Sequence, residues 1–210
     1  MFFTIFALFT ASPMLVALIL SAAVPFAAAA PSFAAPPAMF HSRRAESDGP
    51  CVPPFNGVGV SVTNSAREWG VKQPPAANAS VTSESSNPNN ASMLAKVDFF
   101  FHPIEGDDDS LFTISPAGKK HLAVAITESG NLTLADAADD DESQHWSVQC
   151  DYCNADSSMQ GQFSYGCNIT SVTNGQCVEI AKDAKDANFL APCAGIDHQN
   201  FDLWTKCDWC

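Results

Sequence analysis

The sequence predicts an all-β domain built from about three similar units, and three observations carry that prediction. The stretch Gln144-His145-Trp146-Ser147-Val148-Gln149-Cys150-Asp151-Tyr152-Cys153 returns as Gln199-Asn200-Phe201-Asp202-Leu203-Trp204-Thr205-Lys206-Cys207-Asp208-Trp209-Cys210. The two copies lie about 55 residues apart, the period of a repeat whose single unit is too small to bury its own apolar face. Short apolar runs with turn residues between them recur at spacings of about 10 residues, as strands do. No window has the 3.6-residue period of a helix.

The elements follow in order. Val58-Gly59-Val60-Ser61-Val62-Thr63 alternates small and apolar residues, the pattern of a half-buried strand. Val97-Asp98-Phe99-Phe100-Phe101 is an aromatic strand. Strands follow at Leu111-Phe112-Thr113-Ile114, Leu122-Ala123-Val124-Ala125-Ile126, Leu132-Thr133-Leu134 and Trp146-Ser147-Val148, with tight turns at Ser115-Pro116-Ala117-Gly118 and Glu128-Ser129-Gly130-Asn131. The last unit repeats the rhythm at Cys167-Asn168-Ile169-Thr170-Ser171-Val172, Cys177-Val178-Glu179-Ile180, Phe189-Leu190-Ala191 and Phe201-Asp202-Leu203-Trp204. Two segments break it. Residues 72–92 are rich in Pro, Asn and Ser and are expected to form a mobile, glycosylated loop, and residues 151–166 a long connector. The units are then 51–102, 111–153 and 166–210.

Residues 1–30 carry no charged side chain, run through two apolar stretches and end in Ala27-Ala28-Ala29-Ala30, which suits a cleaved signal peptide. A membrane anchor is the rival reading, weakened by Pro13, Pro25 and the Ala-rich exit. Residues 31–50 form a linker or propeptide, and Arg43-Arg44 is either a dibasic processing site or a solvated basic pair. All eight cysteines lie after residue 50, an even number behind a leader, which indicates a disulfide framework made in an oxidising compartment. Sequons at Asn78, Asn90, Asn131 and Asn168 fit the same route. The protein is expected to be secreted, extracellular and free of membrane after processing. A formal net charge of −13, with no long Lys/Arg patch, argues against nucleic acid as a partner.

The motifs Gln144-His145-Trp146 and Gln199-Asn200-Phe201, with Phe99-Phe100-Phe101 as a degenerate first copy lacking the Gln, resemble the Gln-x-Trp repeat of the ricin-B-like β-trefoil family, in the form of small secreted fungal proteins. Gln176-Cys177-Val178-Glu179-Ile180 and Phe189-Leu190-Ala191-Pro192-Cys193-Ala194-Gly195 are similar to that family's Cys-Leu-Asp-Val and Cys-x-Gly frame. The resemblance covers residue 51 to about residue 204 and is strongest in the third unit. It implies a disulfide-stabilised β-trefoil of three repeats over 51–210, a Cys177–Cys193 disulfide, and binding of glycans or glycoproteins without catalysis. A sugar site needs a carboxylate for paired hydroxyls, an aromatic face for the ring and an amide. In the third unit the family's positions fall on Glu179, Ala191 and His198, with Phe189 a nearby aromatic; in the second they fall on Ala123, Ala135 and Ser143. No unit keeps the full set, so Glu179, Phe189, His198 and Gln199 are the candidate carbohydrate-binding residues. The alternative is a trefoil whose sugar sites have lapsed and whose loops bind a protein, for instance as a protease inhibitor.

Other chemistries find no support. Cys150-x-x-Cys153 and Cys207-x-x-Cys210 have the spacing of a four-cysteine zinc site, but a secreted chain favours disulfides. The acid runs at 107–109 and 139–142 lack the alternate-residue ligand spacing of a calcium loop. The five histidines are scattered, and no Gly-x-Ser-x-Gly, His-Glu-x-x-His or phosphate loop occurs. No catalytic residue, metal or cofactor is expected.

Overall fold

The computed structural model describes residues 49–55, 57–65, 67–85, 99–106, 110–156 and 161–205. The leader, most of the 31–50 linker with Arg43-Arg44, the Asn90 sequon, the acid run at 107–109 and Cys207 with Cys210 lie outside the described residues. The described residues form thirteen strands: β1 Gly59–Asn64, β2 Arg67–Val71, β3 Val81–Ser85, β4 Phe99–Pro103, β5 Leu111–Pro116, β6 Leu122–Ile126, β7 Leu132–Asp136, β8 Trp146–Gln149, β9 Tyr152–Cys153, β10 Gly161–Ser171, β11 Cys177–Glu179, β12 Phe189–Ala191 and β13 Phe201–Thr205. Two short 3-10 turns, Glu142–Gln144 and Asp197–Gln199, precede β8 and β13. Among the described residues no helix is long and apolar enough to cross a membrane.

The register closes a six-stranded barrel. Val60 lies opposite Phe99, Phe101 opposite Ile114, Phe112 opposite Trp146, Val148 opposite Ile169, Cys167 opposite Phe201, and Leu203 opposite Val62. Each barrel strand is thus paired on both sides, which leaves no open edge. The other six long strands make three hairpins, β2–β3, β6–β7 and β11–β12. Three cross-hairpin bridges, Ser80 to Thr133, Asn131 to Phe189 and Ala187 to Thr82, link them in a ring. A six-stranded barrel capped by three hairpins around a pseudo-three-fold axis is a β-trefoil.

Three units share one core because each contributes the same layers. The register superposes Phe99, Trp146 and Phe201 in one layer, and Phe101, Val148 and Leu203 in the next; all six are fully buried. Phe99, rather than Phe101, therefore takes the aromatic place of the first unit, two residues earlier than the sequence comparison set it. Phe55 stacks on Phe101 at 4.3 Å and meets Phe112 and Phe163 edge-on, so aromatic packing continues to the barrel's lower end.

Both expected irregular segments contain structure. β3 lies inside residues 72–92, because Val81 and Ser83 are buried while Thr82 and Glu84 alternate outward. That period of two is disguised by four polar residues out of five, so composition alone reads as loop. In the 151–166 segment, β9 pairs with β10, which begins at Gly161 and accommodates two register shifts before Cys167. Disulfides join Cys51 to Cys153, Cys150 to Cys167 and Cys177 to Cys193. The Cys150-x-x-Cys153 motif is thus divided between two bridges, and both of its sulfurs are consumed. Disulfides of this kind belong to an oxidising compartment.

Candidate functional site

The β11–β12 hairpin pairs Cys177 with Ala191, Val178 with Leu190 and Glu179 with Phe189. Alternation sends Val178 and Leu190 into the core and leaves Glu179, Phe189 and Ala191 half-buried on the outer face, where Cys177 is itself covered. Glu179 and Phe189 are half-buried and directly opposite, at a separation where cross-strand side chains touch. The carboxylate is held from behind: Gln199 Nε2 donates to Glu179 Oε2 at 3.2 Å and to the Pro192 carbonyl at 3.0 Å, while Gln199 Oε1 accepts from Ala194 N at 2.8 Å. Gln199 is 1 % exposed, so it reaches any ligand only by fixing Glu179. His198 joins through its main chain, its carbonyl accepting from Ile180 N at 2.9 Å. Its half-buried ring has no hydrogen-bond partner at Nδ1 among the described residues.

Gln144 does the same in the second unit. Its Nε2 donates to the Asp136 carbonyl and to Asp141 Oδ2, and its Oε1 accepts from Ala138 N, all at 3.0 Å. Asp141 also caps the 3-10 turn, accepting from Ser143 N. Hydrogen bonding from Ser143 holds its carboxyl below the ordinary value, with smaller help from Gln144 and the His145 charge working against desolvation. The glutamine of Gln-x-aromatic is therefore a structural clamp across the bend leading into the barrel strand, in both copies.

The ring of bridges identifies the counterparts of Glu179 and Phe189. They are Ala125 with Thr133 in the second hairpin and Gly70 with Thr82 in the first. This register moves the second unit's carboxylate position from Ala123 to Ala125, and both alanines are buried. Only the third hairpin sets a carboxylate against an aromatic. The same ring extends that pair to a third residue, since Asn131 lies opposite Phe189 on the other side.

Two further clefts lie away from the third hairpin. One, of about 470 Å³, runs along β2–β3 and is lined by Glu68, Gly70, Gln73 and Glu84 among others. Glu68 and Glu84 are cross-strand neighbours, and a Cβ on Gly70 would collide with the Glu84 side chain. The second, of about 290 Å³, brings together Asn64, Asp151, Tyr165, Gly166, Asp197 and Asp202. Burial pushes the Asp202 carboxyl up, against hydrogen bonds from the Gln162 side chain and the Gly166 backbone. Tyr165 stacks on Tyr152 with centroids 5.0 Å apart. Among the described residues no group of His, Cys, Asp and Glu has the arrangement of a metal site. Of the sequons, Asn78, Asn131 and Asn168 are exposed. Asn78 takes a left-handed φ of 64° in its turn, a conformation asparagine tolerates better than most residues.

No protein-family model matches the chain, and no curated protein is similar to it in sequence. Among solved structures it is similar to a designed three-fold symmetric protein, ThreeFoil, with TM-score 0.48 and 10% identity over 69% of this chain and 96% of that one. The Haemophilus ducreyi cytolethal distending toxin gives TM-score 0.48 and 15% identity over 76% and 91%. A proteinase inhibitor from Coprinopsis cinerea gives 0.43 and 14% over 71% and 97%.

Proposed function

We propose that this chain is a secreted, non-catalytic carbohydrate-binding β-trefoil of the ricin-B-like kind, with its site on the outer face of β11–β12. The observation that carries the reading is the Glu179–Phe189 pair. A carboxylate fixed by a buried amide accepts hydrogen bonds from vicinal hydroxyls, and an adjacent aromatic covers the apolar side of a sugar ring. The absence of catalysis is part of the proposal. The Ser–His contact His102 Nε2 to Ser115 Oγ, at 2.8 Å, buries the hydroxyl at 4% exposure, where a substrate carbonyl has no access.

The test is a glycan-array screen of the oxidised protein beside Glu179→Ala. Binding that disappears in the variant supports the third-repeat site. Binding that survives moves the site to another surface, and silence from the folded protein free of its own glycans replaces glycans with a protein partner.

A further inference from the structure

The outer face of the third hairpin has a potential glycan acceptor beside it. Asn131 begins the sequon Asn131-Leu132-Thr133 and is exposed. It is bridged to Phe189 by two main-chain bonds, Leu132 N to the Asn188 carbonyl and Leu190 N to the Gly130 carbonyl, both 2.8 Å. Those bonds flank the pair and do not join its own groups. That makes Asn131 and Phe189 a non-hydrogen-bonded antiparallel pair, the type whose side chains share a face and approach most closely. Asn131, just before β7, Phe189 on β12 and Glu179 on β11 therefore form one row. In the other two hairpins the corresponding rows are Ser80–Thr133–Ala125 and Ala187–Thr82–Gly70, which have neither an aromatic nor an acceptor asparagine.

We propose that Asn131 carries an N-linked glycan whose first N-acetylglucosamine packs its apolar face on Phe189, so that the protein's own glycan covers the platform of the third-repeat site. In the modification, the Asn131 amide nitrogen attacks the anomeric carbon of a lipid-diphosphate-linked oligosaccharide. An N–C bond forms, the C–O bond to the diphosphate breaks, the lipid diphosphate leaves and the amide proton goes to the transferase. Asn131 is placed to accept it: it follows the tight turn that hydrogen-bonds Thr127 with Ser129 and Asn131, and it is exposed. The sugar then emerges beside a half-buried ring that no described aromatic stacks on, since Phe189 takes part in none of the ring pairs around the core. Ring stacking of a sugar on Phe189 hides apolar surface on both sides, and it brings the glycan's hydroxyls toward Glu179. The masking half of this inference rests on the proposed lectin site; the packing half does not.

The experiment uses the full chain secreted from a glycosylating host, with Asn78, Asn90 and Asn168 changed to Gln so that Asn131 alone carries sugar. Mass spectrometry should find Asn131 occupied. Trimming to the first sugar should leave stability unchanged, whereas amidase removal of that sugar should lower Tm by about 3 °C. In Phe189→Leu, which keeps apolar volume without a ring face, the same removal should leave Tm unmoved; Phe189→Tyr should restore the shift. An unoccupied Asn131, or an equal Tm shift in Phe189 and Phe189→Leu proteins, overturns the packing. Masking has its own readout: a glycan array should bind the sugar-free protein and lose that binding when Asn131 is modified. Equal array binding by both forms overturns the masking. Silence from both forms, with the Tm coupling intact, refutes the lectin site while upholding the packing.

Discussion

Trp146 donates its indole N–H to the carbonyl oxygen of Val124 at 3.0 Å, tying a barrel strand to the cap hairpin of the same unit. Trp69 is equally buried, edge-on to Phe99 and Phe201, but its Nε1 has no acceptor among the described residues. The two tryptophans separate the worth of that bond from the worth of volume. Both Trp→Phe changes leave a cavity, but only Trp146→Phe also strands a buried carbonyl. Trp146→Phe should cost about 1–2 kcal/mol more than Trp69→Phe in urea unfolding. Equal costs would mean the bond contributes nothing net.

The clamp role of the motif glutamines predicts a folding defect from a residue that sequence comparison assigns to ligand. Gln199→Ala strands Ala194 N and the Pro192 carbonyl and releases Glu179. A loss of about 2–3 kcal/mol is expected by chemical denaturation, with a similar loss for Gln144→Ala. A neutral Gln199→Ala with weakened glycan binding would return Gln199 to direct contact.

Two titrating groups give stability opposite slopes with pH. Burial, and then the Lys120 charge, hold the His102 imidazole below its ordinary value. The folded state thus binds fewer protons than the unfolded one in the window just under about pH 6.5. The His102 contribution is present above that window and lost as pH falls through it, and His102→Gln should flatten this part of the profile. Asp202 is shifted the other way, its carboxyl raised by burial. Its contribution is full below about pH 3.9 and lost as pH rises through the folded value. Asp202→Asn should therefore raise the urea midpoint at pH 7 more than at pH 3. A parallel offset at both pH values would remove Asp202 from the account.

The disulfides should rank by the chain they enclose. Cys51 and Cys153 are 102 residues apart, and Cys177 and Cys193 are 16 apart. Replacing the first pair with serines should cost about 5 kcal/mol and the second about 3 kcal/mol by loop entropy. Differential scanning calorimetry of the two double variants checks the order.

The fold was legible wherever apolar residues kept their period, and the site wherever its residues were neighbours on one hairpin. Val60, Val62, Val124, Leu134 and Ile169 declare their strands by alternation, and all five are fully buried. Val81-Thr82-Ser83-Glu84-Ser85 hid β3, because Ser83 fills a fully buried place without an apolar signature. Glu179 and Phe189 come together because a hairpin of antiparallel strands must juxtapose them. Asn131 joins them through a bridge between repeats, and nothing local in the sequence records that contact. The groove at Asp202 is drawn from segments up to 138 residues apart in number, Asn64 to Asp202, and is invisible for the same reason.

β13 pairs with β1 on one side and with β10 on the other. The strand that seals the barrel thus follows both of its neighbours in chain order. Until residue 205 emerges, β1 and β10 have no common neighbour, and the layer holding Phe99 and Trp146 lacks its Phe201. A growing chain must therefore hold two-thirds of that aromatic layer open until β13 is made. Chaperone occupancy on the growing chain should therefore persist until β13 is made and end abruptly once it pairs.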